Sequence, residues 1–255
     1  MVTLKLPAEI ERLRENNRIV AYILEKLKEN VKPGVTTLQL NSRAEDLVRK
    51  KGVKAAFKGY QGYPYALCTS VNEEVVHGMP SGRELQEGDI ISIDFGVFHQ
   101  GYYGDAAITV PVGRISPEAQ MLIKVTEASL YDGINQARAG NRLGDISSAV
   151  QRRVEAAGFS VVRDYVGHGI GKKLHEEPQI PNYGTAGKGI ELRAGMVLAI
   201  EPMVNAGACE VEVMENGWTV VTRDHKYSAH YEHSVAITED GPYILSQLKG
   251  KPFTQ

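Results

Sequence analysis

The sequence predicts a mixed α/β fold, of the α+β kind, built from two similar halves that face each other. Three observations support this prediction. Four segments carry apolar residues at helical spacing, and others have the apolar runs that are typical of buried strands. In addition, the pattern L-x-x-G-x-[IV]-[IL]-[SA]-I-[DE] occurs at 85–94 as "LQEGDIISID" and at 192–201 as "LRAGMVLAIE". Each copy is accompanied by two of the predicted helices.

Length and composition are those of a folded globular protein. The chain has 255 residues, of which 42% are hydrophobic and 24% charged, and no linker-like stretch divides it. A net charge of −2 gives no general attraction to DNA or to anionic membranes. Two cysteines are too few for a disulfide framework, and the sequence has no signal peptide or apolar run of about 18 residues. We therefore expect a single-domain cytoplasmic protein.

The four helices are placed by their apolar stripes and by their end signals. Pro7 suits the first turn of the first helix, and Lys32-Pro33-Gly34 prevents this helix from continuing. Ser116 is the expected N-cap of the third helix, and a glycine ends the fourth. The expected ranges are 7–30, 37–50, 116–138 and 143–158.

Strands are expected at 65–76 and in a hairpin over 88–110, and this hairpin carries two acids. Asp94 interrupts an apolar run, and Asp105 follows eleven residues later. A turn centred on His99-Gln100 would place Asp94 directly opposite Asp105, with Cβ atoms roughly 5 Å apart. Two facing carboxylates in a half-buried sheet stay ionised only if a positive charge lies between them.

The internal repeat adds two more acids and two histidines. Each copy ends on an acid, Asp94 or Glu201, and is preceded by a His-Gly pair that contains His77 or His168. Each is followed by a second acid in a strand-like stretch, and in the second half this acid is Glu232. Duplicated halves that face each other would bring all four acids to one centre.

Four acids at strand positions require strong cationic compensation, and no lysine or arginine is interleaved with them. Carboxylates with one imidazole suit a pair of divalent ions that are bridged by carboxylates, roughly 3.5–4 Å apart. Other catalytic signatures are missing: the sequence has no G-x-S-x-G, no Walker loop and no H-E-x-x-H. The remaining histidines are interpreted as surface or packing residues: His99, His225, His230 and His233.

A set of motifs, in this order, resembles the type I methionine aminopeptidase family: "GYQGYP", "NEEVVHGMP", "IDFG", "GHGIGKKLHEEP", "IEPM" and "YEHSVAIT". The resemblance runs from about Glu9 to Ile244. It implies the pita-bread fold, in which pseudo-twofold duplicated halves share a central curved antiparallel sheet covered by helices. It also implies one catalytic domain over 1–255, with halves at about 1–113 and 114–255, in the short bacterial-type form.

The resemblance also implies the roles of individual residues. The metal ligands would be Asp94, Asp105, His168, Glu201 and Glu232, with Asp105 and Glu232 as the bridging pair. Catalytic roles fall to His77, which would contact the scissile amide, to His175, which would stabilise the tetrahedral intermediate, and to Glu201. Substrate binding falls to Phe57, Tyr60, Tyr63, Cys68, His77, Leu174, His175 and Trp218. Phe57 and Leu174 depart from residues that are common in the family, which affects the pocket shape rather than the reaction.

The implied function is removal of the N-terminal methionine when the second residue is small, with a hydroxide that bridges the metals as nucleophile. Two divalent ions are the expected cofactors, and Co, Mn, Fe and Zn all stay open. The expected partners are peptides and nascent chains that begin with Met, not DNA or a membrane. We expect a monomer, and a transient ribosome contact is an open question.

Two alternatives are kept. An X-Pro aminopeptidase or dipeptidase would have the same fold, but such proteins usually carry a large extra N-terminal domain and lack "GYQGYP". A catalytically inactive pita-bread protein that binds peptides would have lost metal ligands, whereas this chain keeps all five.

Overall fold

The computed structural model describes residues 2–248; Met1 and 249–255, the ends of the predicted domain, lie outside it. Four α-helices agree with the predicted ranges to within two residues at each end: α1 (Pro7–Lys28), α2 (Thr37–Lys51), α3 (Pro117–Gln136) and α4 (Leu143–Ala156). Ser116 caps α3 as predicted, since its Oγ accepts a hydrogen bond from the Ala119 N–H at 3.1 Å. No helix in this part of the chain has both the length and the hydropathy to cross a membrane.

Fifteen strands are found within residues 2–248. They are β1 (Lys54–Ala55), β2 (Cys68–Val71), β3 (Glu74–Val76), β4 (Ile90–His99), β5 (Tyr102–Pro111), β6 (Ser160–Val161), β7 (Gly167–Gly169), β8 (Glu176–Ile180), β9 (Val197–Ile200), β10 (Met203–Asn205), β11 (Val211–Val213), β12 (Val220–Thr222), β13 (Ser228–His230), β14 (Glu232–Thr238) and β15 (Gly241–Ile244). The segment predicted as one strand over 65–76 is two strands, β2 and β3. Asn72, with φ of 58°, turns the chain between them.

The largest sheet is antiparallel, and its order is β1-β4-β5-β14-β9-β7-β8, with β2 also paired to β4 and β15 to β14. This order places the two copies of the internal repeat at equivalent positions. β4 and β9 flank the central pair β5 and β14 on opposite sides. The glycines that precede them in the repeat, Gly88 and Gly195, both have positive φ, at 99° and 91°. The strand order therefore agrees with the predicted duplication, which stays a prediction.

The predicted register of the first hairpin is wrong by two residues. His99 pairs with Tyr102, so the turn is centred on Gln100-Gly101, where φ is positive at both residues. This backbone matches the right-handed twist of the two strands, and glycine suits its second position. Asp94 therefore lies opposite Ala107, and Asp105 lies opposite Gly96. The two acids still share one face of the sheet, as diagonal neighbours.

The other face of the sheet is covered by the helices. In the first half, residues of α1 and α2 pack on the odd-numbered residues of β4, among them Ile91 and Phe95. In the second half, residues of α3 and α4 pack on β9 and β14, among them Leu198 and Val235. Because side chains alternate along a strand, this packing turns the even-numbered Asp94 and Glu232 to the face that the helices leave uncovered.

Candidate metal centre

Strand register brings acids from three positions into one row across the sheet. Asp94 pairs with Ala107, and Ala107 pairs with Glu232 on the next strand. Glu201 follows Ile200, whose partner on β14 is His233, so Glu201 comes level with Glu232. All of these residues therefore point to the same face, and only the small Ala107 side chain lies between the acids.

Asp105 and His168 join this row from neighbouring positions. Asp105 lies two residues before Ala107 on β5, and so on the same face. His168 pairs with Ala199, two residues before Glu201. Ligand atoms of Asp105, His168 and Glu232 all lie within 4.8 Å of one another, and the three side chains are buried. One ion could therefore contact all three.

The acids lack the partners that buried carboxylates normally have. Asp105 and Glu232 are 3% and 2% exposed, while Asp94 and Glu201 face the cavity described below. Asp94 Oδ1, Asp105 Oδ1 and Glu232 Oε1 are buried without a hydrogen-bond partner. Within residues 2–248, no lysine or arginine forms an ion pair with any of the four. Such groups are costly to bury unless a cation compensates them.

The pKa values follow from this arrangement. Burial raises the pKa of Asp94 to about 7 and that of Glu201 to about 8. Burial, together with repulsion from the neighbouring carboxylates, raises the pKa values of Asp105 and Glu232 well above their usual range. The centre therefore favours either protons or a bound cation.

His168 presents one ring nitrogen to the acids. Its Nδ1 lies 2.9 Å from the carbonyl oxygen of Gly169, a geometry that assigns the proton to Nδ1. This leaves the lone pair on Nε2, which lies 3.6 Å from Glu201 Oε1. Burial lowers the pKa of His168 to about 3, so the ring is neutral, as a metal ligand must be. Carboxylate oxygens with one imidazole form a donor set that fits Mn, Fe, Co and Zn ions.

One cavity of about 230 Å³ opens onto this centre. All thirteen predicted site residues line it: Phe57, Tyr60, Tyr63, Cys68, His77, Asp94, Asp105, His168, Leu174, His175, Glu201, Trp218 and Glu232. Gln61 is a further lining residue. The residues come from both halves of the chain. A larger groove of about 690 Å³ shares His168 and His175 with this cavity but none of the acids.

The wall away from the acids is apolar and aromatic. Phe57, Tyr63, Cys68 and Leu174 are buried in one cluster, against which Trp218 packs. The rings of Tyr63 and Trp218 meet edge to face at 5.1 Å. The Tyr63 hydroxyl donates to backbone carbonyl oxygens behind the wall, 3.1 Å away, so the ring is held in place. This wall suits a flexible apolar side chain.

Two histidines that are not among the predicted ligands border the cavity. The His175 ring lies 4.4 Å from the His168 ring, and its Nδ1 is 2.7 Å from the Tyr60 hydroxyl. His77 has φ of 57°, and its ring meets Tyr165 edge to face at 5.6 Å. Burial lowers the pKa of His77 to about 4, so it is neutral at pH 7. Both rings can donate a hydrogen bond to a ligand in the cavity.

The interpretation of His230 as a surface or packing residue is incomplete. Its side chain is 1% exposed, and its Nε2 lies 3.5 Å from Glu201 Oε2 without a hydrogen-bond partner. A sequence signal existed, because His230 lies two residues before Glu232, and alternate residues of an extended chain share a face. His99, His225 and His233 do not line the cavity.

The stability of the metal-free protein should fall as pH rises from 6.5 to about 8. In this window the unfolded carboxyls, with ordinary pKa values of 3.8 and 4.5, have lost their protons, whereas Asp94 and Glu201 in the fold still bind theirs. The histidines with lowered pKa values act in the opposite direction, but their effect fades above 6.5 as the unfolded imidazoles lose their remaining protons. Thermal unfolding in chelator should therefore give a lower Tm at pH 8.5 than at 6.5. An equal or higher Tm at 8.5 would contradict the acid cluster as described.

The chain is similar to known metallopeptidases. The sequence model of metallopeptidase family M24 matches residues 11–239. A methionine aminopeptidase of Clostridium perfringens is 53% identical over 249 residues, which are 98% of this chain and 100% of that protein. The crystal structure of a methionine aminopeptidase from Thermotoga maritima superposes with a TM-score of 0.96 at 48% identity, covering 97% of this chain and 100% of that one.

A more distant likeness concerns the fold alone. An Xaa-Pro dipeptidase from Bacillus anthracis has a TM-score of 0.77 at 20% identity, over 97% of this chain and 63% of that one. Together with the likeness to the Thermotoga maritima structure, it confirms the predicted fold class, a mixed α/β fold with a curved antiparallel sheet.

Proposed function

The chain belongs to metallopeptidase family M24, and from this premise we propose that it is a metal-dependent aminopeptidase that removes N-terminal methionine when the second residue is small. The observation that carries the proposal is the cavity, which joins a cluster of unpaired acids to an apolar, aromatic wall. A free amino terminus and its scissile bond would lie at the acids, and the first side chain would lie against the wall.

Five residues would hold two divalent ions. Asp94 would be the terminal ligand of one ion, and His168 with Glu201 would complete the other. Asp105 and Glu232 would bridge the two. Two buried features support this assignment: the unpaired carboxylate oxygens of Asp94, Asp105 and Glu232, and the free Nε2 of His168.

Divalent ions bound by these residues would supply a Lewis acid for the carbonyl oxygen and a water molecule of lowered pKa. The protein residues would handle the protons. Glu201 borders the cavity and would take the proton of the attacking water and deliver it to the amine that leaves. The C–N bond of the peptide would then break. The OH group of the water would stay on the carbonyl carbon of the released amino acid, and its other proton would go to the new amino terminus of the shortened peptide.

The two histidines would stabilise the charge that develops. His175 would donate from Nε2 to the oxygen of the tetrahedral intermediate, because the Tyr60 hydroxyl, 2.7 Å from Nδ1, can donate to that atom and so fix the tautomer. His77 would hold the scissile amide from the opposite side. Both rings line the cavity beside the acids.

The apolar wall favours methionine as the first residue. An unbranched thioether bends to fill irregular space and makes favourable contacts between sulfur and aromatic rings, which Tyr63 and Trp218 provide. A β-branched side chain is stiff at χ1 and fits less well. The second residue would lie close to the ions and His77, which favours Ala, Gly or Ser there.

A substrate panel tests the proposal. We expect the metal-loaded protein to release Met from Met-Ala-Ser and Met-Gly-Met-Met, with little release from Met-Lys peptides and none from Ala-Pro peptides. For Leu-Gly peptides, kcat/KM should be lower by at least about 10-fold, because a branched side chain loses part of the apolar contact. The measurement is kcat/KM over the panel, under one metal at a fixed concentration.

The same panel decides between the alternatives. Efficient release of the first residue from Ala-Pro peptides, with none from Met-Ala-Ser, would favour an X-Pro peptidase. Binding of these peptides without hydrolysis under any of the four metals would favour an inactive peptide-binding protein.

We also propose a domain organisation, a cellular location and natural substrates for the chain. The chain would form one catalytic domain with halves at about 1–113 and 114–255, a division that the symmetric strand order supports. A cytoplasmic location is supported by Cys68 and Cys209, which are both free thiols. Nascent chains would be substrates in addition to peptides. The monomeric state stays a prediction, and ribosome contact an open question.

A further inference from the structure

His230 is held against the centre by its backbone. It is the last residue of β13, and its N–H donates to Thr109 Oγ1 at 2.9 Å. The Thr109 hydroxyl in turn donates to the His230 carbonyl oxygen at 2.8 Å. Thr109 belongs to β5, the strand that carries Asp105, so the backbone of His230 is fixed relative to the acids.

The ring of His230 ends in a nitrogen that lacks a partner. The residue is 1% exposed, and Nε2 is buried without a hydrogen bond. An acid oxygen, Glu201 Oε2, lies 3.5 Å away. This distance is slightly too long for a good hydrogen bond, but a small movement of either side chain would form one.

The two oxygens of Glu201 face different imidazoles. Oε1 lies 3.6 Å from Nε2 of His168, and Oε2 lies 3.5 Å from Nε2 of His230. His168 belongs to the group of possible ligand atoms with Asp105 and Glu232, whereas within residues 2–248 His230 joins no such group. Oε1 is therefore on the side of these possible ligand atoms, and Oε2 is left for a hydrogen-bond donor.

We propose that His230 is a positioning residue that donates a hydrogen bond from Nε2 to Oε2 of Glu201 and so directs Oε1 toward the metal. The inference rests on the proposed metal-dependent function. It gives the orphaned Nε2 of His230 a partner, and ligating carboxylates in proteins are commonly held by such outer hydrogen bonds. Loss of an outer partner of this kind typically weakens metal binding by about 10–100-fold.

The test compares two substitutions that differ in their ability to donate. In His230→Gln the side-chain amide nitrogen can reach the place of Nε2, whereas His230→Leu has similar bulk and no donor. We expect calorimetric titration of the metal-stripped proteins with Co²⁺ to give a Kd about 10–100-fold higher for His230→Leu than for wild type. His230→Gln should stay within a few-fold of wild type, and the absorption bands of its Co²⁺ form should be unchanged.

Four results would overturn the inference. An unchanged Kd in His230→Leu would mean that the ring only packs. A loss in His230→Gln as large as that in His230→Leu would mean that His230 is itself a ligand. If His230→Leu does not fold, ¹⁵N NMR of wild type loaded with Zn²⁺ decides: we expect a proton on Nε2 of His230, and a metal-bound Nε2 would overturn the proposal. A wild-type chain that binds neither Co²⁺ nor Zn²⁺ would overturn the proposed function as well.

Discussion

Replacing Asp105 with Asn is expected to abolish stabilisation by metal and to lower kcat/KM by at least about 100-fold, more than the loss of an outer partner would cause. At the same time, the metal-free variant should be more stable than metal-free wild type above pH 7. Asp105 is buried with an unpaired oxygen, and its carboxylate is repelled by Asp94 and Glu201. Asparagine keeps the shape and removes the charge, so the repulsion and the proposed bridging ligand are lost together.

Thermal unfolding with and without Mn²⁺ measures both effects. For wild type, an ion at a hundredfold excess over Kd should stabilise the fold by about 2.7 kcal/mol. Asp132→Asn is the control, because Asp132 forms a surface ion pair with Arg153 and surface pairs of this kind contribute about 0–1 kcal/mol. Full stabilisation by Mn²⁺ in Asp105→Asn, or normal activity, would refute the bridging role.

Replacing His175 with Ala is expected to lower kcat by about 10²–10³-fold, the usual cost of removing one donor to a developing oxyanion. Metal affinity should be unchanged, because the His175 side chain is hydrogen-bonded to Tyr60 and contacts the ring of His168 rather than the acids. The measurements are steady-state kinetics on Met-Ala-Ser and calorimetric titration with Mn²⁺.

His225→Asn serves as the matched control for this histidine. His225 is exposed, lies outside the cavity and has φ of 54°, a conformation that asparagine tolerates. It should keep both kcat and metal affinity. A His175→Ala protein with normal kcat would remove His175 from the reaction, and one that no longer binds Mn²⁺ would make it a ligand.

The position of the acids could be predicted from sequence because it depends on a local rule. Side chains alternate along a strand. The odd-numbered positions around Asp94 are apolar and face the core, so Asp94, at an even-numbered position, must face away from it. The internal repeat relates Asp94 to Glu201 without any knowledge of which strands pair. The cavity also contains every residue that the family resemblance assigned to the site.

The predicted hairpin register is wrong because the predicted turn, at His99-Gln100, lies one residue before the observed one. The observed turn has positive φ at both central positions, as in type I′, and glycine favours the second of them, so Gly101 marks the second and Gln100 the first. His99 then belongs to the strand. Moving the turn by one residue shifts each pairing by two, which leaves the faces unchanged and explains why the acid cluster survived the error.

The role of His230 could not be read from its neighbours in sequence. Its possible partner, Glu201, lies twenty-nine positions earlier, after a different strand, and the two meet only when β13 and β9 have taken their places. The spacing of two residues from Glu232 predicts the face of the sheet toward which the His230 side chain points, but not its contact with Glu201. Distances between side chains on different strands depend on the assembled fold.

The most direct test of whether these acids hold catalytic metal ions is hydrolysis of Met-Ala-Ser by the metal-stripped protein, before and after reloading with a single metal. We expect no release of methionine from the stripped protein and recovery with at least one of Mn²⁺, Fe²⁺, Co²⁺ or Zn²⁺. Asp105→Asn, treated in the same way, should not recover. Release of methionine by the stripped protein at the rate of the reloaded one would contradict the claim that these acids hold catalytic metal ions.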